Sequence, residues 1–201
     1  MAKLKWLLVE EKLRHLGLKI FTANELSQIF DSSKRASHAF LAYNTKRGGL
    51  LRLRKGYYAF KNYLPHDFLI ANKIYQPSYV SLETALSFYA LIPETIYSVT
   101  SITTRKTAHF SVNNKRYIYH HIKPSAFTGY LTTRVNGEMV YLALPEKAVA
   151  DFCYFVFLKK KKWNERLKKE NLNQTKLVHY LEMLAGKKLV DFWLQLGKKN
   201  G

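Results

Sequence analysis

The sequence has little cysteine, few acidic residues and no long apolar run, and each shortage excludes a class of protein. Its single cysteine, Cys153, lies in an apolar run, so no disulfide framework can form and a reducing cytoplasm is the predicted location. The longest apolar stretch, AVADFCYFVFL, is interrupted by Asp151 and is shorter than a membrane span. The apolar run near the N-terminus is too short for a signal peptide. A membrane partner would therefore have to be peripheral, and we expect none.

The familiar catalytic motifs are also absent from the sequence. It contains no Asp-x-Asp or Asp-x-Glu pair to hold the magnesium ions of nucleotidyl transfer, no phosphate-binding glycine loop and no nucleophile elbow. His120 and His121 are adjacent on a predicted strand, so they point to opposite faces and cannot easily share a metal. The sequence thus predicts a protein that is not an enzyme, with no catalytic residue, no metal site and no cofactor.

Positive charge is the feature that is present in excess. The chain carries 33 Lys and Arg against 14 Asp and Glu, a formal net charge of +19. Residues 1–62 hold 13 basic and 4 acidic side chains, residues 63–153 hold 8 and 6, and residues 154–201 hold 12 and 4. Such an excess implies an anionic partner, either nucleic acid or a membrane surface, and its distribution predicts two basic surfaces.

Three helices are predicted in the N-terminal region. The first spans residues 3–16 and ends at Gly17. The second begins at Thr22, where Glu25 completes a capping box. Ser33 caps the third, which ends at Gly48. In the third helix the apolar spacing predicts a buried face made of Ala36, Ala39, Phe40 and Tyr43, and an opposite, exposed face made of Lys34, Ser37, His38, Leu41 and Thr45, with Arg35 near its border.

A basic hairpin follows the third helix in LLRLRKGYYAF, residues 50–60. Leucines alternate with Arg52 and Arg54, which is the period of a strand, so Leu51 and Leu53 are expected on one face and the arginines on the other. Gly56 allows the tight turn beside Lys55. A solvated edge strand would look similar, since charge on an edge strand deters aggregation.

The order of helix, short helix, helix and basic hairpin predicts a winged helix-turn-helix, a DNA-binding fold. The third helix would be the recognition helix and the hairpin the wing. The predicted DNA-binding residues are Lys34, Arg35, Ser37, His38, Thr45, Lys46, Arg47, Arg52, Arg54, Lys55 and, in a basic tail, Lys159, Lys160, Lys161 and Lys162.

The rest of the chain mixes strands and helices. Turns at Asn113-Asn114 and Asn136-Gly137 predict two hairpins, and Pro145 predicts the start of a helix. The tail predicts two or three amphipathic helices, with a helix that carries Arg166, Lys168 and Lys169. Ser81 is expected to cap a helix whose first turn holds Glu83, and Lys147 with Asp151 is expected to form an ordinary pair one helical turn apart.

Three segments give the chain a family resemblance. LLRLRKGYYAF, QPSYVSLETALSFYALIPETIYSVTSIT and LALPEKAVADFCYF, in this order, resemble the AbiEi family of antitoxins, which belong to type IV toxin–antitoxin systems of phage abortive infection. The likeness covers roughly residues 20–158. It implies an α+β protein, with an N-terminal winged helix-turn-helix followed by an α+β antitoxin domain and a helical C-terminal tail.

The resemblance also implies a function. Family members repress their own operon and counteract a nucleotidyltransferase-like toxin, without a stable complex between the two proteins. Residues 1–62 would be the DNA-binding domain and residues 63–201 the antitoxin domain with its basic tail. The expected partner is double-stranded DNA of the chain's own promoter, with paired repeats. A basic RNA-binding module and a degenerate nucleotidyltransferase are the alternatives.

Overall fold

The computed structural model of the protein describes residues 4–198. The chain divides into two compact units, the first ending at Ile74 and the second beginning at Tyr75. The described residues form a mixed α+β fold with eight α-helices and two sheets. The prediction of an α+β protein is confirmed at this level.

The first unit combines four helices with a small antiparallel sheet. Its elements are α1 (Trp6–His15), β1 (Ile20–Phe21), α2 (Ala23–Ile29), α3 (Lys34–Lys46), β2 (Leu50–Arg54), β3 (Tyr57–Phe60) and α4 (Asp67–Ile74). The strand order is β1-β3-β2. Between the helices and the sheet lies a core of buried residues that comprises Val9, Leu13, Phe21, Ala23, Leu26, Phe40, Leu41, Leu50 and Phe60.

The predicted helix ends are present in the structure. Thr22 Oγ1 accepts the backbone N–H of Glu25 at 3.2 Å, and the Glu25 carboxylate accepts the N–H of Thr22 at 2.7 Å, which completes the capping box. Ser33 Oγ accepts the N–H of Ala36 at 3.1 Å and caps α3. Gly17 follows α1 with a φ of +65°, a conformation that glycine adopts without steric cost.

The hairpin departs from the simple alternation that the sequence predicts. Arg52 pairs with Tyr58 while Arg54 pairs with the adjacent Tyr57, so the register shifts between the two arginines. An extra residue of this kind rotates the strand locally. Consequently Leu50 and Leu53 are the buried leucines, and Leu51 is only half-buried.

The first unit extends beyond the predicted boundary at residue 62, because α4 belongs to it. Helix α4 packs against β2. At its end the Ile74 carbonyl accepts a hydrogen bond of 2.6 Å from Arg54 Nη1. A side chain predicted to contact DNA thus ties the hairpin to α4.

The second unit holds a six-stranded mixed sheet and four helices. Its elements are β4 (Ser78–Val80), α5 (Leu82–Phe88), β5 (Val99–Thr103), β6 (Ala108–Val112), β7 (Lys115–His121), a 3₁₀ turn (Pro124–Ala126), β8 (Tyr130–Val135), β9 (Glu138–Ala143), α6 (Pro145–Phe157), α7 (Gln174–Ala185) and α8 (Lys187–Lys198). The strand order is β6-β7-β5-β4-β9-β8. Both predicted hairpins form, and Asn113, Asn114, Asn136 and Gly137 have the positive φ values that their tight turns require.

The tail contains two helices, as predicted, but Arg166, Lys168 and Lys169 do not lie on one. The segment between α6 and α7 has turns and no regular helix. Tertiary contacts hold it instead, because the backbone N–H of Lys168 donates to the Leu91 carbonyl at 2.8 Å and Leu167 and Leu172 are buried. The prediction of a helix at these three cations is wrong.

None of the helices within residues 4–198 has the length and apolar character needed to cross a membrane.

Candidate nucleic-acid interface

Helix α3 turns a different face outward from the one that the sequence predicts. Its buried residues are Ser37, Phe40, Leu41 and Asn44. Ala39 and Tyr43, predicted to face the core, are exposed, and the Tyr43 side chain is 58% accessible. Leu41, predicted to be exposed, is buried instead. The exposed stripe along α3, here called the α3 stripe, comprises Lys34, Arg35, His38, Ala39, Ala42, Tyr43 and Lys46.

Two predicted contact residues point away from solvent or are already engaged. Ser37 has no exposed surface, and its Oγ lies 2.9 Å from Ser32 Oγ, so these two hydroxyls satisfy each other inside the core. The expectation that Ser37 reaches DNA is therefore wrong. The Thr45 hydroxyl donates to the Leu41 carbonyl at 2.7 Å within the same helix, and its side chain is half-buried.

The cations of the α3 stripe have no partners among residues 4–198. Lys34, Arg35, His38 and Lys46 are exposed and form no ion pair or side-chain hydrogen bond with any residue that the structure describes. A charge that the fold does not use remains available to an external anion.

Arg47 differs from these four cations. Its guanidinium donates to the Tyr43 hydroxyl at 2.7 Å and lies 5.5 Å from the centre of the Tyr43 ring. This contact fixes the orientation of Arg47 at the end of α3, beside the exposed aromatic ring.

The hairpin supplies two further exposed cations. Arg52 projects from β2, and Lys55 lies at the turn, where Gly56 has a φ of +89°. Neither makes an ion pair or side-chain hydrogen bond within the described chain. Arg54, by contrast, is half-buried and bound to the Ile74 carbonyl. Of the three predicted wing cations, Arg52 and Lys55 are thus the accessible ones.

The basic tail in the second unit is also divided. Lys159, Lys160 and Lys162 are exposed where α6 ends. Lys161 Nζ instead forms an ion pair with Glu83 Oε1 at 2.5 Å. This pair gives Glu83 a role that the sequence did not predict, and it leaves three of the four lysines accessible.

A buried polar cluster around Asp151 is the other concentration of charge in the second unit. Asp151 Oδ1 lies 2.5 Å from Lys147 Nζ, and the two side chains are 0% and 1% exposed. Asp151 Oδ2 accepts hydrogen bonds from the Tyr79 hydroxyl at 3.0 Å and from Ser81 Oγ at 2.8 Å. Ser81 therefore precedes α5 without capping it, and the expectation of a side-chain cap there is wrong.

Burial governs the protonation of this cluster. It raises the pKa of Asp151, although Lys147, Ser81 and Tyr79 each act to lower it. Burial, with the Asp151 charge beside it, also raises the pKa of Tyr79 well above its ordinary value. The predicted pair of Lys147 and Asp151 exists, but as a buried one. The sequence PEKAVADFCYF does indicate this burial. The apolar residues around Lys147 and Asp151 leave α6 no polar face of ordinary width.

The Asp151 cluster is closely packed. A methyl group added at Gly129 would lie 2.9 Å from the Lys147 Cγ and 2.8 Å from the Tyr180 ring. Such distances are shorter than ordinary van der Waals contacts. This side of the cluster therefore has no space for a ligand, and its geometry supports a role in holding α6 to β4.

The two histidines and the cysteine noted in the sequence, His120, His121 and Cys153, lie on β7 and α6. His120 packs on Phe155 at 4.9 Å between ring centres, while His121 Nδ1 lies 3.0 Å from the Arg105 carbonyl, as expected for adjacent residues on opposite faces of β7. Burial, together with Lys161 and Lys160, lowers the pKa of His120 to about 4. Cys153 is buried, and burial raises the pKa of its thiol to about 12, so it is not a nucleophile at neutral pH.

Neither a family model nor a curated protein matches this chain.

Proposed function

We propose that the protein binds double-stranded DNA through its first unit, which we interpret as a winged helix-turn-helix. The order of α1, α2, α3 and the β2–β3 hairpin supports this interpretation. In it α3 is the recognition helix, and the hairpin is a wing that follows the phosphate backbone.

The α3 stripe is the observation that carries the proposal. Lys34, Arg35, His38 and Lys46 project from one face of a capped helix and have no partner among the described residues. The small side chains of Ala39 and Ala42 lie between them. Small residues let a helix approach a groove closely, while the long cations beside them reach phosphates and base edges.

From the family resemblance we infer the biological setting. The protein is an antitoxin that represses its own operon, on a promoter with paired repeats, and that counteracts a nucleotidyltransferase-like toxin without forming a stable complex with it. Its action requires no catalysis by this chain. The cytoplasm remains the location predicted from the use of cysteine.

Binding is tested with the full chain and its own promoter fragment in a gel-shift titration, against scrambled DNA of equal length and against tRNA. We expect the promoter to be bound most tightly. The variant Lys34→Ala/Arg35→Ala should lose about tenfold or more in affinity for the promoter. The variant Lys187→Ala/Lys188→Ala removes the same charge from exposed positions on α8 and should retain most of the binding.

The outcomes separate the proposal from its alternatives. Equal loss in the two double variants would mean that net charge, and not the α3 stripe, governs binding. Preference for tRNA over the promoter would favour the RNA-binding alternative. Nucleotide incorporation by the purified chain in the presence of Mg²⁺ would favour the degenerate nucleotidyltransferase.

The antitoxin role needs a separate experiment in cells. Co-expression with the toxin encoded beside this gene should restore growth with the full chain, whereas residues 1–74 alone should bind the promoter without protecting the cells. Full protection by residues 1–74 would contradict a role of the second unit in antitoxin activity.

A further inference from the structure

The six-stranded sheet of the second unit ends at β8, whose outer edge has no neighbouring strand within residues 4–198. Strand β8 pairs with β9 in an unbroken register, from Tyr130 opposite Ala143 to Val135 opposite Glu138. It contains no proline and no bulge, which are devices that commonly protect an edge strand from further pairing. An edge of this kind is able to accept another extended strand.

The register of the hairpin shows which backbone groups of β8 face outward. At its base the N–H of Leu144 donates to the Gly129 carbonyl at 2.9 Å, so the odd-numbered residues of this strand bond to β9. Bonded and non-bonded positions alternate along an antiparallel pair, and therefore Tyr130, Thr132 and Arg134 direct their N–H and C=O groups away from β9. Thr132 and Arg134 are exposed, and Tyr130 is half-buried.

The β8–β9 hairpin exposes apolar side chains and carries no net charge. Leu131, Met139 and Tyr141 are 57%, 51% and 47% accessible. Between residues 124 and 143 the only charged side chains are Arg134 and Glu138, so this segment is neutral in a chain whose net charge is +19. A second copy of the chain therefore meets less electrostatic repulsion here than at the α3 stripe or at the lysines of residues 159–162.

Strand β6, at the opposite edge of the same sheet, differs in both respects. Val112 and Lys115 form the bonded pair beside its two-residue turn, so only His109 and Ser111 of β6 face outward. The β6–β7 hairpin, residues 108–121, carries Lys115 and Arg116 and no acidic residue. Charge of one sign at an edge deters pairing with another copy. Of these two edges, β8 is therefore the one suited to association.

A second β8 strand complements the outward groups of the first. Two identical strands in antiparallel pairing are related by a two-fold axis. With the axis at Thr132, this residue lies opposite its own copy, and Tyr130 lies opposite Arg134 of the second copy. The residues of each such pair exchange both backbone hydrogen bonds, so every outward N–H and C=O group of the three residues is satisfied. The side chains match as well, because two threonines are a favourable cross-strand pair and each Arg134 guanidinium meets an aromatic ring instead of the other arginine.

From this arrangement we propose that two copies of the chain form a dimer by antiparallel pairing of their β8 strands, with the two-fold axis at Thr132. The two six-stranded sheets become one continuous sheet. Met139 and Tyr141 lie opposite Arg134 and Thr132 on β9, on the same face of the sheet, so the apolar side chains of both copies lie on one face on either side of the axis. The dimer goes beyond the proposed function, because it requires neither DNA nor the α3 stripe.

Sedimentation equilibrium of the full chain, without nucleic acid, tests the dimer. We expect a monomer–dimer equilibrium with a Kd of about 100 μM or below. Association should strengthen as the salt concentration rises, because salt screens the repulsion between two chains of charge +19. Thr132→Lys should raise the Kd about tenfold or more, since like charges then meet at the axis. His109→Lys adds the same charge at an outward position of β6 and should leave the Kd unchanged. Urea denaturation shows whether each variant is folded.

A mixing experiment tests the position of the axis. Thr132→Lys and Thr132→Glu chains should each associate weakly alone, whereas their mixture should form a heterodimer about tenfold tighter or more, because opposite charges then meet at the axis. If Thr132→Lys does not fold, Thr132→Pro gives the comparison with the wild type, because it removes an outward N–H and leaves the bonds to β9 intact.

Three outcomes would overturn the proposal. A chain that remains monomeric at about 500 μM and at every salt concentration would leave the β8 edge to an extended segment of another protein or to solvent. A dimer that Thr132→Lys weakens no more than His109→Lys does would have its interface elsewhere. A mixture that associates no more tightly than its two components would contradict an axis at Thr132.

Discussion

Charged side chains have opposite roles in helices α3 and α6. On α3, Lys34, Arg35, His38 and Lys46 are exposed and have no partner in the described chain. On α6, Lys147 and Asp151 are buried, paired with each other and bonded to two hydroxyls. A buried charge is tolerated only with its partners, so the charges of α6 belong to the fold. Those of α3 cost the fold little and remain available to an external anion.

The lysine run after α6 lies between these two cases. Lys161 is paired with Glu83, as a charge of the fold, while Lys159, Lys160 and Lys162 are exposed, as on α3. Four consecutive identical residues therefore differ in availability, because only Lys161 of the four forms an ion pair with a carboxylate of the described chain.

The largest effect is expected on stability, when the buried pair is broken. Asp151→Ala leaves Lys147 as an uncompensated buried charge and should lower the free energy of unfolding by about 3–5 kcal/mol. Lys34→Ala, at an exposed position, should change it by less than about 0.5 kcal/mol. Urea denaturation followed by circular dichroism measures both values.

A double replacement separates charge from packing at the same place. Lys147→Met/Asp151→Leu removes both charges and should cost less than Asp151→Ala alone. If Asp151→Ala does not fold, Ser81→Ala removes one hydrogen bond to the carboxylate and should cost about 1.5–3 kcal/mol. Wild-type stability in both Asp151→Ala and Ser81→Ala would show that the cluster is not required by the fold.

The two arginines of the hairpin should separate DNA binding from stability. Arg52→Ala should weaken binding to all DNA sequences alike and lower the slope of log affinity against log salt by about one unit, with stability unchanged. Arg54→Ala should lower the free energy of unfolding by about 1 kcal/mol, because it removes the hydrogen bond to Ile74. Fluorescence anisotropy at several salt concentrations, with urea denaturation of each variant, tests the distinction. A flattened salt dependence in Arg54→Ala alone would reverse these roles.

The lysines at 159–162 should have a smaller effect on DNA binding, and Lys161 should contribute less than the other three. On a promoter fragment with two repeats, replacement of Lys159, Lys160 and Lys162 by Ala should weaken affinity and cooperativity as much as replacement of all four lysines, because Lys161 is already paired. The measurement is a binding titration at fixed salt, with Lys161→Ala alone as the control. Unchanged binding in the fourfold variant would make the tail a solvated face without a role in DNA binding.

The smallest effect is a pH dependence of stability from His120. Its pKa is lowered to about 4 in the folded chain, so the unfolded chain binds the proton more tightly. Its contribution to stability is present above pH 6.5 and is lost as the pH falls towards 4, by about 1–2 kcal/mol after allowance for solvent screening. His120→Gln should lose less stability than the wild type between pH 7 and pH 4.5 in urea titrations. An identical loss in the two proteins would exclude His120 as a source.

Local chemistry explains which predictions from the sequence succeed. The Thr22–Glu25 capping box, the Ser33 cap and the hairpin turns at Asn113-Asn114 and Asn136-Gly137 each depend on residues within three or four positions. Such contacts are the same in a peptide as in a folded chain, so the sequence alone predicts them. The buried face of α3 is harder to predict, because Ala36, Ala39 and Ala42 are small enough for either side of a helix.

The candidate sites were predictable only in part. The cations of the α3 stripe could be named from the sequence, whereas the burial of Ser37 depends on Ser32, which bonds to it inside the core. The pairing of Glu83 with Lys161 and of Glu94 with Arg166 could not be predicted, since it joins each carboxylate to a segment 78 or 72 residues later that has no regular pattern.

By itself the sequence determined most of the helices and strands, the caps at Thr22 and Ser33, the hairpin turns and the excess of positive charge, because these follow from near neighbours and from composition. The tertiary structure alone decided which charges are available. It brings Tyr79 and Ser81 to Asp151 across sequence separations of 72 and 70 residues, and Glu83 to Lys161 across 78. Pairing of this kind depends on distance in space, and a charge becomes part of the fold or remains open to a partner according to what the folded chain places beside it.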